Sequence, residues 1–73
     1  MANDSKKLII LGRNIQNARK NMKLSQNELA EKLSISREHL AKIETAKRGI
    51  SIKLLFKISD VLSVSEKDLF NFE

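Results

Sequence analysis

The chain contains no cysteine, proline, tryptophan or tyrosine, only two glycines and only three aromatic residues, all phenylalanine. Without cysteine, neither a disulfide nor a thiolate metal site can staple the fold, and the lack fits a reducing cytoplasm. A single histidine, His39, cannot build a zinc site alone, so no metal or cofactor is expected. No apolar run approaches the roughly 18 residues of a membrane span. The patch Leu8 to Leu11 follows two lysines but is too short for a signal-peptide core of about 7–15 residues. A lone histidine, no nucleophile motif and no room for a pocket of about 300 Å³ exclude a hydrolase and argue against any enzyme. Few glycines, no proline and few aromatics favour helices over sheet. At 73 residues the chain is one domain, spanning residues 1–73, with a core that needs efficient helix packing.

Positive charge is abundant and unevenly placed. Residues 1–48 hold 11 Lys/Arg against 5 Asp/Glu, a net +6, whereas residues 49–73 hold 3 against 4, a net −1. A basic region suits a polyanion, most often nucleic acid. The alternative is that lysines keep a small protein soluble.

Apolar spacing divides the chain into five helices with no repeat, low-complexity segment or linker. Leu8, Leu11, Ile15, Ala18 and Met22 recur at steps of three and four and predict a first helix from about Lys6 to Asn21. Arg13, Asn17 and Lys20 lie away from this stripe. Ser25 followed by Glu28 is a capping-box pattern opening a second helix. Ser36 caps a third helix, which is expected to reach about Ala46. Ser51 caps a fourth, Ile52 to Leu62, whose Leu54, Leu55, Ile58, Val61 and Leu62 make it the central core helix. Ser65 and Asp68 repeat the capping-box spacing before a last helix, Glu66 to Phe70.

The segment Gln26 to Thr45, QNELAEKLSISREHLAKIET, is the most informative. Leu29, Ala30, Leu33, Ile35, Leu40 and Ile43 are spaced as two short helices crossing at a tight turn require. That is a helix-turn-helix, whose second helix can enter the major groove of DNA. Ala30 is small enough to let the helices approach. Arg37, Glu38, Lys42 and Thr45 face outward.

From about Leu11 to Phe70 the chain resembles the Cro/C1 or Xre-type family of helix-turn-helix domains. The strongest part is LSQNELAEKLSIS, then a helix ending in KIE; the stretch KRGISIKLLFKISDVLSVSEKDLF resembles the family's fourth and fifth helices. Among members it is most similar to the short controller proteins of restriction–modification systems, which share an Ile-Ser lead into helix four and a Leu-Phe near the end. The resemblance implies an all-α, five-helix, lambda-repressor-like DNA-binding fold. Two positions depart from the pattern. Ser34 stands where the family has glycine in the helix two–three turn, where a left-handed non-glycine residue costs roughly 1 kcal/mol. Ala46 stands where glycine often follows helix three, so either that helix runs longer or Gly49 stops it.

The same resemblance implies roles for individual residues. Arg37 occupies the position that points at base edges, and an arginine there can hold a guanine bidentately. Glu38 can accept from a cytosine amino group or simply favour the helix dipole. Lys42 reaches a base or a phosphate, and Ser36 is cap alone or cap plus contact. Ser25 and Gln26 open helix two, where backbone N–H groups suit a phosphate. Thr45 and the loop Lys47, Arg48 and Gly49 are further phosphate candidates; the plain reading of that loop is a basic surface turn. His39 is expected on the surface beside the reading face. Arg19 and Glu44 match positions that pair, tying helix one to the end of helix three. Leu69, Phe70 and Phe72 either cap the core or form a dimer seam. Glu31 matches an acidic patch that touches RNA polymerase in some members, although the neighbouring Asn27 is not acidic; a solvated helix face is the alternative.

The expected function is sequence-specific binding of double-stranded DNA by a homodimer on an inverted repeat. The protein would act in the cytoplasm of a bacterium or phage as a transcriptional regulator, with no small-molecule ligand. Autoregulation of its own promoter, as by a restriction–modification controller, is the expected consequence. The rival is an antitoxin-like protein that neutralises a partner protein, since fold does not settle function.

Overall fold

Five helices follow one another in the order α1 (Ala2–Asn21), α2 (Gln26–Leu33), α3 (Arg37–Glu44), α4 (Ile52–Leu62) and α5 (Glu66–Leu69). They are seen in a computed structural model that describes the backbone of residues 2–71 and the side chains of residues 5–71. No strand occurs among the described residues. The first helix begins earlier than its apolar stripe suggests, because no proline or glycine precedes Lys6 to stop it.

The four helices after α1 open alike. Ser25, Ser36, Ser51 and Ser65 sit in extended backbone, and each hydroxyl oxygen accepts from the N–H three residues on. Each satisfies a donor that the first helical turn leaves without a partner. Ser25 and Glu28 complete the box, since the Glu28 carboxylate accepts from the Ser25 N–H at 2.8 Å. Asp68 does not reciprocate in this way for Ser65.

The first four helices also close alike. Lys23, Ser34, Ala46 and Ser63 all adopt positive φ, between 55° and 62°. After each of them, one N–H bonds back five residues: Leu24 to Arg19, Ile35 to Ala30, Lys47 to Lys42 and Val64 to Ser59. This is the left-handed stop that most often uses glycine. Three junctions then read left-handed residue, apolar residue, serine cap: Lys23-Leu24-Ser25, Ser34-Ile35-Ser36 and Ser63-Val64-Ser65. Leu24, Ile35 and Val64 pack against the core at these points. The junction after α3 is the exception, because Lys47-Arg48-Gly49 stands between Ala46 and the Ile50-Ser51 pair.

Two expectations are corrected by these stops. The third helix ends at Glu44, and Ala46 itself turns the chain, so neither a longer helix nor a stop at Gly49 is needed. Met22 is not part of the apolar stripe. It lies past the end of α1 and is 43% exposed, while Leu24 covers the core in its place.

Every helix contributes to one core. Ile15 of α1, Leu29 and Leu33 of α2, Leu40 of α3, Leu55, Ile58 and Leu62 of α4, and Leu69 of α5 are all fully buried. Ala30 is also buried. Gly12 marks a close approach unseen in the sequence pattern: a β-carbon there would lie 2.6 Å from the Ile43 carbonyl oxygen and 2.7 Å from that of Glu44. The backbone of α1 therefore rests directly on the end of α3. Lys57 Nζ donates to the Leu33 carbonyl at 3.2 Å, joining α4 to the end of α2. Asn14 Nδ2 donates to the carbonyls of Leu69 (2.9 Å) and Asn71 (3.0 Å), tying the end of the chain to α1.

Candidate nucleic-acid interface

The outward face of α3 is what its inward face leaves. Leu40, Ile43 and Glu44 point into the domain, so residues one and two turns apart on the other side share the surface. Arg37, Glu38, Ala41, Lys42 and Thr45 line a shallow groove there, joined by Lys47 from the following loop. Three cations against one carboxylate make it electropositive. Arg37, Glu38 and Lys42, read from the sequence as base contacts, are exposed and adjacent. Ala41 was missed by sequence reasoning because an alanine carries no chemistry in a pattern search. It lines the groove one helical turn from Arg37 and one from Thr45.

Ser36 is exposed at the start of α3, and its oxygen accepts from the His39 N–H at 3.0 Å. Its hydroxyl proton is left to donate outward. His39 is half-buried and does not line the groove. Thr45 is exposed at the end of α3. Its hydroxyl donates to the Ala41 carbonyl at 2.7 Å, and its N–H goes to the same oxygen. A phosphate can only accept, so Thr45 has no donor to offer in this conformation.

The start of α2 lies against the end of α3 through one set of bonds. Arg19 and Glu44 are both buried. Arg19 Nε donates to Glu44 Oε2 at 2.8 Å and Nη2 to Oε1 at 3.1 Å, a bidentate pair. Arg19 Nη1 donates to the Leu24 carbonyl at 2.8 Å. Gln26 Nε2 donates to Glu44 Oε1 at 3.0 Å. Gln26 is half-buried, and its amide nitrogen has a second proton beyond the one given to Glu44. The Ser25 N–H donates to the Glu28 carboxylate at 2.8 Å, and the Ser25 hydroxyl also stands against that carboxylate. Both bonds from Ser25, the backbone one foremost, hold the Glu28 carboxyl below its ordinary value.

Lys47, Arg48 and Gly49 are exposed in the one junction that departs from the common form. Gly49 has no positive φ, and a β-carbon on it would meet nothing within 4 Å. Neither backbone conformation nor packing within the domain calls for glycine there. Glu31 is exposed on α2, beside Glu28 and Lys32.

The seam expected at the end of the chain changes most. Leu69 is 1% exposed and fills the core of its own domain, so it cannot meet a second copy. Phe72 lies outside the described residues. Phe70 is 43% exposed, and the other large exposed apolar side chains include Ile52 (64%) and Phe56 (52%), one turn apart on α4. Among the described residues, no group of three or more His, Asp or Glu side chains is placed to hold a metal ion. No helix among them is long and apolar enough to cross a membrane.

A protein-family model described as helix-turn-helix matches residues 15–69. An uncharacterized HTH-type transcriptional regulator of Methanocaldococcus jannaschii is 42% identical over 50 residues, covering 68% of this chain and 76% of its own. A second, from Archaeoglobus fulgidus, is 32% identical over 59 residues, covering 81% and 83%. Among solved structures, the restriction–modification controller protein C.AhdI from Aeromonas hydrophila superposes with a TM-score of 0.82 at 25% identity. The match covers 86% of this chain and 96% of that one.

Proposed function

This chain belongs to the helix-turn-helix family of transcriptional regulators, a class without enzymatic activity, and we propose that it binds double-stranded DNA as a homodimer on an inverted repeat. The observation that carries the reading is the α3 groove, where Arg37, Glu38, Ala41, Lys42 and Lys47 come together on the outward side of a helix whose other side is core. In the major groove, Arg37 holds a guanine through O6 and N7, and Glu38 accepts from a cytosine amino group. The Ala41 methyl suits the C5-methyl of a thymine. Ser25 and Gln26 at the start of α2, with Lys47, Arg48 and the Gly49 backbone, hold phosphates on either side and set the register. Thr45 joins them when its hydroxyl exchanges the Ala41 carbonyl for a phosphate oxygen.

The dimer seam is the exposed side of α4. Ile52 and Phe56 supply apolar surface, with Phe70 as a further exposed aromatic residue. Lys53 and Asp60 are exposed on the same side. Two copies of α4 packed antiparallel about Phe56 set each Lys53 against the Asp60 carboxylate of the other copy. The resulting two-fold axis matches half-sites about one helical turn apart. The likeness to a restriction–modification controller favours a regulator that acts on its own promoter in the cytoplasm. A polymerase contact on α2 would rest on Glu31 alone, because the Glu28 carboxylate is engaged by its cap.

Substitution separates the two kinds of contact. Arg37→Ala is expected to flatten the preference at one base pair, costing about 1–3 kcal/mol there, while Gln26→Ala weakens all duplexes alike. Equal effects of the two variants on every sequence would overturn the assignment.

A further inference from the structure

Glu44 accepts three N–H bonds, and only two of them come from its ion-pair partner. The third comes from Gln26, the residue placed at the DNA backbone. Arg19 spends three of its five N–H donors on Glu44 and the Leu24 carbonyl and is itself buried. We propose that Glu44 is a positioning residue for Gln26: it holds one amide proton so that the other stands fixed at the start of α2, ready for a phosphate oxygen. The inference rests on the DNA-binding reading above and deepens it.

The physical gain is preorganisation. A glutamine on a helix surface samples many rotamers, and binding must then freeze them. Here that ordering is completed on folding, through a carboxylate that is buried and fixed by a bidentate arginine. Immobilising such a side chain on binding instead would weaken affinity by about three- to tenfold per half-site. The same bonds join three parts of the domain: α1 through Arg19, the start of α2 through Gln26 and the end of α3 through Glu44. The phosphate clamp is thus registered against the reading helix by one carboxylate.

The test uses a duplex selected from a random pool by the wild-type protein. Glu44→Ala strands a buried arginine, so the main variant is Arg19→Met/Glu44→Met, which replaces the pair by apolar side chains of similar length. It should remain folded and lose about three- to tenfold in affinity per half-site, equally for selected and scrambled duplexes. In a Gln26→Ala background the same double substitution should cost nothing more. If the losses add, or if the preference for the selected duplex collapses, Glu44 acts on the orientation of α3 and the proposal falls. If the wild-type protein selects no sequence at all, the DNA-binding reading falls first and takes this proposal with it. Hydrogen exchange of side-chain amides in the wild-type protein tests the same point without a substitution. One Gln26 amide proton should exchange more slowly than those of the half-buried Gln16, and equal rates would overturn the proposal.

Discussion

Gly12→Ala pits local helix preference against tertiary contact. Gly12 lies in the middle of α1, where alanine is favoured over glycine by about 1 kcal/mol. Preference alone therefore makes the substitution stabilising. The structure reverses the sign. A β-carbon at this position would lie 2.6 Å from one carbonyl oxygen of α3, 2.7 Å from another and 3.0 Å from a carbonyl carbon. Bringing the closest to an ordinary 3.4 Å contact requires α1 and α3 to separate by about 0.8 Å. The obstacle is backbone, so no side chain can swing aside. Overpacking of this kind costs about 1–3 kcal/mol, which leaves a net loss of up to about 2 kcal/mol after the helix gain. In a domain of this size, 1 kcal/mol moves Tm by about 4–8 °C. The displaced carbonyls belong to Ile43 and Glu44, so the end of the reading helix shifts with them. Thermal unfolding followed by circular dichroism, alongside titration with a selected duplex, should show a lower Tm and a reduced preference for that duplex. A Gly12→Ala protein with a raised Tm and unchanged DNA preference would refute the close approach.

Three further outcomes are expected. Ala46→Gly should stabilise the domain by about 1 kcal/mol in urea unfolding, because the left-handed stop after α3 then carries no β-carbon. Gly49→Ala should leave unfolding unchanged but weaken binding to every duplex, since only an approaching phosphate backbone gives that glycine a purpose; unchanged binding would remove the loop from the interface. Acid should loosen the start of α2: the Glu28 carboxyl titrates below its ordinary value when folded, so its contribution is complete above the normal glutamate range and fades as pH falls through the depressed value. In Glu28→Gln that limb should vanish from an amide-chemical-shift titration at Ser25.

Helix starts were legible because a cap is a local chemical device. Ser25 with Glu28, Ser36, Ser51 and Ser65 each name a hydroxyl and the donor it satisfies, and all four helices begin at them. Helix stops were less legible. Glycine usually marks them, yet Lys23, Ser34, Ala46 and Ser63 carry the left-handed turns and neither glycine does. What identifies these stops is the residue that follows, since Leu24, Ile35 and Val64 reach back to the core. Met22 was misplaced for this reason, because periodicity continued past a turn that no breaker announced. Leu69 stayed open between core and seam because terminal apolar residues look alike whether they face inward or outward; its burial, with its carbonyl held by Asn14 more than fifty residues earlier, decides the matter.

The candidate site divides along the same line. Arg37, Glu38 and Lys42 share a face by helical spacing alone, so sequence places them correctly relative to one another. Arg19 and Glu44 are 25 residues apart, and only their resemblance to a known pattern joined them. The bond from Gln26 to Glu44 and the spent hydroxyl of Thr45 depend on rotamers, which no spacing encodes. Ala41 is visible only once the side chains around it define a groove.

The salt dependence of binding to a selected duplex tests the central claim most directly. Lys42, Lys47 and Arg48 place three cations beside each half-site, or six in a dimer. Log affinity should then fall with log salt at a slope of about −5. The selected duplexes should contain inverted half-sites centred about 10 base pairs apart. Affinity that ignores salt, on duplexes that share no sequence, would contradict the account.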